Sequence, residues 1–126
     1  MRKLTREIVE AWARGDRLSS GNTSTDGLAI WLHENTIAWK TADADVIALT
    51  LAGWPTVTTR ERLNGVLNFY GIGYRFAQRN FEPVLIIGRD VVEIGEHEHV
   101  YFNIATKRVT DWEPVARLDD YIPLCH

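Results

Sequence analysis

The chain has 126 residues, 45% of them hydrophobic and 25% charged, with a net charge of −3 and one cysteine. This profile fits one globular domain spanning residues 1–126, and the acidic balance argues against broad, non-specific nucleic-acid binding, which needs a basic field, while leaving room for a local basic pocket. Cys125, alone and next to the C-terminus, excludes an internal disulfide framework and agrees with a reducing compartment.

No apolar run reaches the roughly 20 residues needed to span a bilayer. Glu7 and Glu10 follow the basic start Met1-Arg2-Lys3, so no signal-peptide core forms. A cytoplasmic protein with no membrane partner is expected.

Leu4, Ile8, Ala11 and Trp12 recur at helical spacing, predicting an amphipathic helix over residues 4–14 that Gly15 stops. Residues 19–27, Ser-Ser-Gly-Asn-Thr-Ser-Thr-Asp-Gly, read as loop with room for a short edge strand. Leu28 to His33 reads as a strand with Ile30 and Leu32 on one face. Glu34-Asn35 is expected to turn the chain, and Thr36 to Lys40 to return it with Ile37 and Trp39 on one face. After a turn at Asp43-Ala44-Asp45, the aliphatic run Val46 to Leu51 makes a third strand. A central helix is expected from Thr59 to about Tyr70, with Leu63, Val66, Leu67 and Tyr70 as its apolar stripe and Gly71 and Gly73 ending it. Tyr74–Gln78, Val84–Ile87, Val91–Ile94 and Val100–Ile104 read as strands, with a bend at Arg79–Pro83. The tail from Trp112 to His126 is less regular, and Pro114 and Pro123 argue against one long element there. The expected fold is α+β: a small antiparallel meander with an N-terminal helix and one central helix packed on it.

The segment Ala52 to Asn64 packs a Gly-Trp-Pro turn, three threonines, two arginines and an asparagine into thirteen residues. Thr58 and Glu61 fit a capping box, and a helix N-terminus carries free N–H groups and partial positive charge that suit an anion. Arg60 and Arg62 in the first turn oppose the helix dipole, which points either to a ligand anion or to neutralisation by Glu61 in a purely structural turn. His33 could donate to a phosphate or ribose. Asn35 beside it reads first as a turn former. Asn22, Thr23, Ser24 and Thr25 could wrap a phosphate or sugar, or simply be a solvated loop. Arg75, Arg79, Asn80 and Phe81 form a second patch, either a stacking ring with phosphate-holding arginines or a sheet edge with arginine stems over a packed ring. His97-Glu98-His99 has too few ligands for a metal site and reads as a solvated hairpin tip. No Walker loop, G-x-S-x-G or H-E-x-x-H occurs, and Cys125-His126 lacks an oriented setting. A paired-carboxylate site leaves little sequence trace; Asp119-Asp120 reads as a solvated turn. A non-enzyme with no metal and no cofactor is expected.

Three blocks carry a resemblance: Gly21-Asn22-Thr23; Leu32-His33-Glu34-Asn35-Thr36-Ile37-Ala38; and Gly53-Trp54-Pro55-Thr56-Val57-Thr58-Thr59-Arg60-Glu61-Arg62-Leu63-Asn64. In this order they resemble a group of small phage and prophage proteins with the pattern N-T, L-H-G-N-x-I-A and G-W-x-T-x-T-T-x-x-R-(L/I)-N. The pattern covers about a third of the chain, and Glu34 departs from it where Gly is expected. Size, layout and phage character further resemble the Thoeris anti-defence sponges, which bind cyclic ADP-ribose-type signals and keep them from their effectors. That resemblance implies a nucleotide ligand, sequestration without turnover and a place in the host cytoplasm. A pyrophosphate with adenine and riboses wants residue types found here: Arg60, Arg62, Thr58, Asn64, His33, Arg79, and Trp54 or Phe81 as the platform. An anti-CRISPR-like inhibitor that binds a host protein is the alternative, and a nucleotide-processing enzyme a third reading. Five tryptophans and strands such as Val84–Ile87 with apolar residues on both faces lead to the expectation of a homo-oligomer.

Overall fold

The computed structural model describes residues 2–113. The expectations for Asp119-Asp120, Cys125, His126 and most of the C-terminal tail lie outside these residues. Helix α1, Lys3–Arg14, buries Ile8, Val9, Ala11 and Trp12. It ends where Gly15 takes φ 83°, a left-handed turn that costs glycine nothing. The polar stretch after it is not loop. It folds as a hairpin of two short strands, β1 (Leu18–Ser20) and β2 (Thr23–Thr25). Thr23 and Thr25 are buried in it, because each hydroxyl has a partner: Asn22 Oδ1 at 2.8 Å and the Ala29 carbonyl at 2.7 Å.

Strands β3 (Ala29–Leu32), β4 (Asn35–Lys40) and β5 (Val46–Leu49) continue the meander as expected. Two details differ from the sequence reading. The turn is His33-Glu34, because Leu32 pairs with Asn35, and the positive φ falls on His33 (57°). Glu34 therefore needs no glycine, and Asn35 is a strand residue. A register shift opposite Ile30 and Trp31 also turns both Ile37 and Ala38 into the core, while Trp39 faces the other way with Ala48.

Helix α2, Val57–Phe69, starts two residues earlier than expected. The sheet then splits. Strands β6 (Tyr74–Arg79), β7 (Glu82–Ile87) and β8 (Asp90–Glu93) form their own three-stranded sheet. Strand β9 (His99–Asn103) returns to pair with β5, and β10 (Arg108–Glu113), a strand the sequence reading missed, closes the order β1-β2-β3-β4-β5-β9-β10. The fold is α+β, with both helices packed against antiparallel sheet. One core joins the helices to both sheets, with Trp12, Leu49, Leu63, Phe76 and Phe102 fully buried. On β7, Val84 and Leu85 point to opposite faces and both are buried in the single chain.

Candidate functional site

The segment between β5 and α2 is folded back tightly. The Trp54 N–H donates to the Leu51 carbonyl at 2.9 Å and the Thr56 N–H to the Trp54 carbonyl at 2.8 Å. Ala52 and Gly53 both have positive φ, 54° and 82°, and the Gly53 N–H donates to the Glu96 carbonyl at 2.8 Å. The Trp54 indole ends up turned outward, 57% exposed. Gly53 has no room for more: a Cβ would meet His97 Cε1 at 2.5 Å. His97 is exposed and can move aside, but the left-handed backbone cannot be relieved that way. Gly53→Ala is therefore expected to cost about 1–2 kcal/mol, the penalty for an L side chain in that region. An unchanged urea midpoint would refute this.

Thr56, not Thr58, caps α2. Its Oγ1 accepts the Thr59 N–H at 3.2 Å and lies 3.0 Å from the Thr59 hydroxyl. The expected capping box fails because Glu61 is engaged elsewhere. Its carboxylate accepts the Thr5 hydroxyl at 2.5 Å, the Arg2 backbone N–H at 3.3 Å and the Arg62 guanidinium. Thr58 is thereby left free to face a cavity of about 490 Å³ at this end of the helix.

Leu32, Ile37, Leu51 and Trp54 give that cavity an apolar lining; Asn22, His33, Asn35, Thr56, Thr58 and Thr59 supply the polar groups. It shares Asn22, His33, Asn35 and Trp54 with a shallower depression bounded by Ser19, Gly21 and Ser24. The site is thus built from three chain segments, around residues 22, 32–37 and 51–59. Of the expected site residues, Trp54, His33 and Thr58 come together here. Asn22 and Asn35, which read as loop and turn, join them.

Arg62 lies beneath, only 4% exposed. Its Nε donates to Thr23 Oγ1 at 2.9 Å, Nη1 to Thr5 Oγ1 at 3.0 Å and to Glu61, and Nη2 to Asn22 Oδ1 at 3.3 Å. One planar fork ties α1, α2 and the β1–β2 hairpin together and holds Asn22 at the cavity wall. Burial alone would raise the Glu61 pKa, but hydrogen bonds from Thr5, the Arg2 N–H and Arg62, together with the Arg62 charge, outweigh it and hold it below the usual glutamate range. A lowered folded-state pKa stabilises the fold fully above the unfolded value near 4.5, and that stability is lost as pH falls through the lower folded value. Glu61→Gln is expected to flatten the stability profile below pH 4.5. Parallel acid-unfolding curves for the two proteins would refute the assignment.

The remaining expected residues sit elsewhere. The Asn64 carboxamide is used on strand β6: it accepts the Phe76 N–H at 2.8 Å and donates to the Phe76 carbonyl at 2.9 Å, as a neighbouring strand would. Arg60 donates from Nη1 to the Pro55 carbonyl at 2.9 Å and to Gln78 Oε1 at 3.1 Å. It lines a separate groove of about 450 Å³ between α2 and β6. Arg79 and Phe81 lie at the β6–β7 turn. The structure thus separates the two arginines from the indole. Sequence reasoning missed Thr56 and Thr59, for which the only signal was a threonine directly after Pro55, where a helix can first begin.

The cavity offers an aromatic face, an apolar floor, two carboxamides and an imidazole, an inventory that suits a planar heterocycle with hydrogen-bonding edges. Among the described residues no group of three His, Cys, Asp or Glu side chains could hold a metal ion. No helix among them is long and apolar enough to cross a membrane. A family model described as Kyanoviridae Gp96 protein matches residues 1–107. No curated protein and no solved structure matches the chain.

Proposed function

The chain belongs to the Kyanoviridae Gp96 protein family, a family of small phage proteins, and from that premise we propose that it binds a nucleotide-type small molecule without turning it over. The observation that carries this is the convergence of Asn22, His33, Asn35, Trp54 and Thr58 on one cavity. In the proposed complex the base stacks on Trp54 and its edge meets Asn22 and Asn35. The ribose and phosphate lie toward His33 and the first turn of α2, where N–H groups and partial positive charge favour an anion. Arg62 supports this arrangement from below. Arg60, part-exposed and bonded to the Pro55 carbonyl next to Trp54, is the cation offered to a longer ligand. The biological role proposed is anti-defence: sequestration, in the host cytoplasm, of a cyclic ADP-ribose-like or cyclic oligonucleotide signal.

The test is a thermal-shift screen of the full chain against adenosine, cyclic mono- and dinucleotides and cyclic ADP-ribose isomers. A ligand at 100 times its dissociation constant adds about 2.7 kcal/mol of stability. Chromatography of the recovered ligand is expected to return it intact, whereas a new product would make the protein an enzyme. No shift with any of these compounds would overturn the reading. We also propose that the working form is a homo-oligomer, since Leu18 on the edge strand β1 and the exposed Leu28 leave apolar surface that a second copy would cover. A monomer mass by light scattering at high concentration would refute that.

A further inference from the structure

Two features on the far side of α2 have no part in this cavity. The first is the groove between α2 and β6, walled by Val57, Arg60 and Asn68 on the helix and by Arg75 and Gln78 on the strand. Among the described residues strand β6 is the edge of its sheet, paired with β7 alone. Asn64 engages its outward backbone groups at one position, Phe76. Arg60 is held in place by the Pro55 carbonyl and Gln78 through one of its nitrogens. Arg75 is exposed across the groove. Glu61 also lines the groove, but its carboxylate is paired with Arg62, so in a chain of net charge −3 Arg60 and Arg75 leave a local excess of positive charge here.

The second feature is the turn at Asn80-Phe81. Arg79 pairs with Glu82, so the turn has two residues, and both have positive φ: 53° at Asn80 and 65° at Phe81. Such turns favour glycine at the second position. Here a phenylalanine sits in it, with its ring 92% exposed. The backbone is strained and the ring buries nothing, so neither stability nor packing accounts for it. The two features adjoin. Asn64 meets Phe76 and Arg60 meets Gln78, so helix and strand run antiparallel; Val57, the first residue of the helix, lines the groove, and the Asn80-Phe81 turn begins two positions beyond Gln78, the last strand residue that lines it. Val57 is itself 72% exposed.

We propose that this groove and turn form a docking surface for an acidic, extended segment of a partner protein. Carboxylates of the segment pair with Arg60 and Arg75, and an apolar side chain seats against Phe81 and Val57. Charge complementarity selects the occupant. The chain's overall acidity disfavours a nucleic acid, whose continuous phosphate backbone would feel the whole field. The neutral Asn68 and Gln78 and the aliphatic Val57 suit a peptide.

The test is selection of a random peptide library, displayed on messenger RNA, against the full chain. Enrichment of sequences with two or more acidic residues beside one apolar residue is expected. The affinity of a synthetic peptide carrying the consensus should fall about tenfold or more in Arg60→Ala and Arg75→Ala, the loss of one charge-assisted contact. Phe81→Gly should weaken the peptide equally while leaving Tm unchanged or higher, because glycine relieves the turn; a structural role for the ring predicts a lower Tm instead. Trp54→Ala should leave peptide binding unchanged, which keeps this result independent of the nucleotide reading. Enrichment of neutral or basic peptides, equal peptide binding by the Phe81→Gly protein, or saturable binding of oligothymidylate competing with the peptide would each overturn the proposal.

Discussion

Arg62→Ala is expected to destabilise the protein by about 3–5 kcal/mol, the usual cost of removing one partner of a buried ion pair. The guanidinium meets four side chains, and two of them, Thr5 and Thr23, are buried with it. Its loss leaves the part-buried Glu61 carboxylate without its cation and the buried Thr23 and Thr5 oxygens short of a donor. Total stability of a domain is about 5–15 kcal/mol, so the variant should sit near the edge of folding at ordinary temperature. Arg62→Lys should recover only a minor part, because one ammonium cannot span four separated acceptors as a planar fork does. Urea titrations decide the matter: a loss below about 1 kcal/mol for the alanine variant, the range of an exposed ion pair, would show that the network does not hold the fold.

Trp54→Ala should have the opposite profile. The indole is more than half exposed, so its removal uncovers little and should leave Tm close to that of the parent. A base stacked on an aromatic ring gains about 1–3 kcal/mol, so affinity for whichever nucleotide the screen selects should fall by roughly tenfold to a hundredfold. Trp54→Phe keeps a smaller face and should fall between the two. Calorimetry on all three proteins reads this directly. Equal affinities, with the fold intact, would move the ligand away from the Trp54 cavity.

Alternation and helical spacing made the meander and both helices legible, since the apolar residues of α1, β3, β5 and α2 are those the core buries. What escaped was set by contacts distant in sequence. The 19–27 stretch looked like loop because it is polar, and it takes the Asn22 carboxamide, the Arg62 fork and the Ala29 carbonyl to make buried threonines tolerable there. The start of α2 was misplaced because Thr58 and Glu61 fit a capping box locally, while Glu61 is drawn to Thr5 and Arg2, more than fifty positions away. The pairing of β5 with β9 has no sequence signature at all. The candidate site was legible in its residues and not in its grouping. Trp54, His33 and Thr58 were expected and do meet, but the arginines read beside them divide between a buried support and a groove on another side of the helix.

The neighbour relation of β5 and β9 bears on how the chain emerges during synthesis. Val46–Leu49 is aliphatic throughout and becomes a central strand, yet its second partner begins only at His99, after α2 and the whole β6–β8 sheet. Until then the nascent meander ends in an open apolar edge able to recruit a like edge from another chain. The charges that flank it, Lys40, Asp43 and Asp45, stand as gatekeepers during that interval. Yield of native protein should therefore depend on how fast translation delivers residues 50–103, a vulnerability of timing that the finished fold no longer shows.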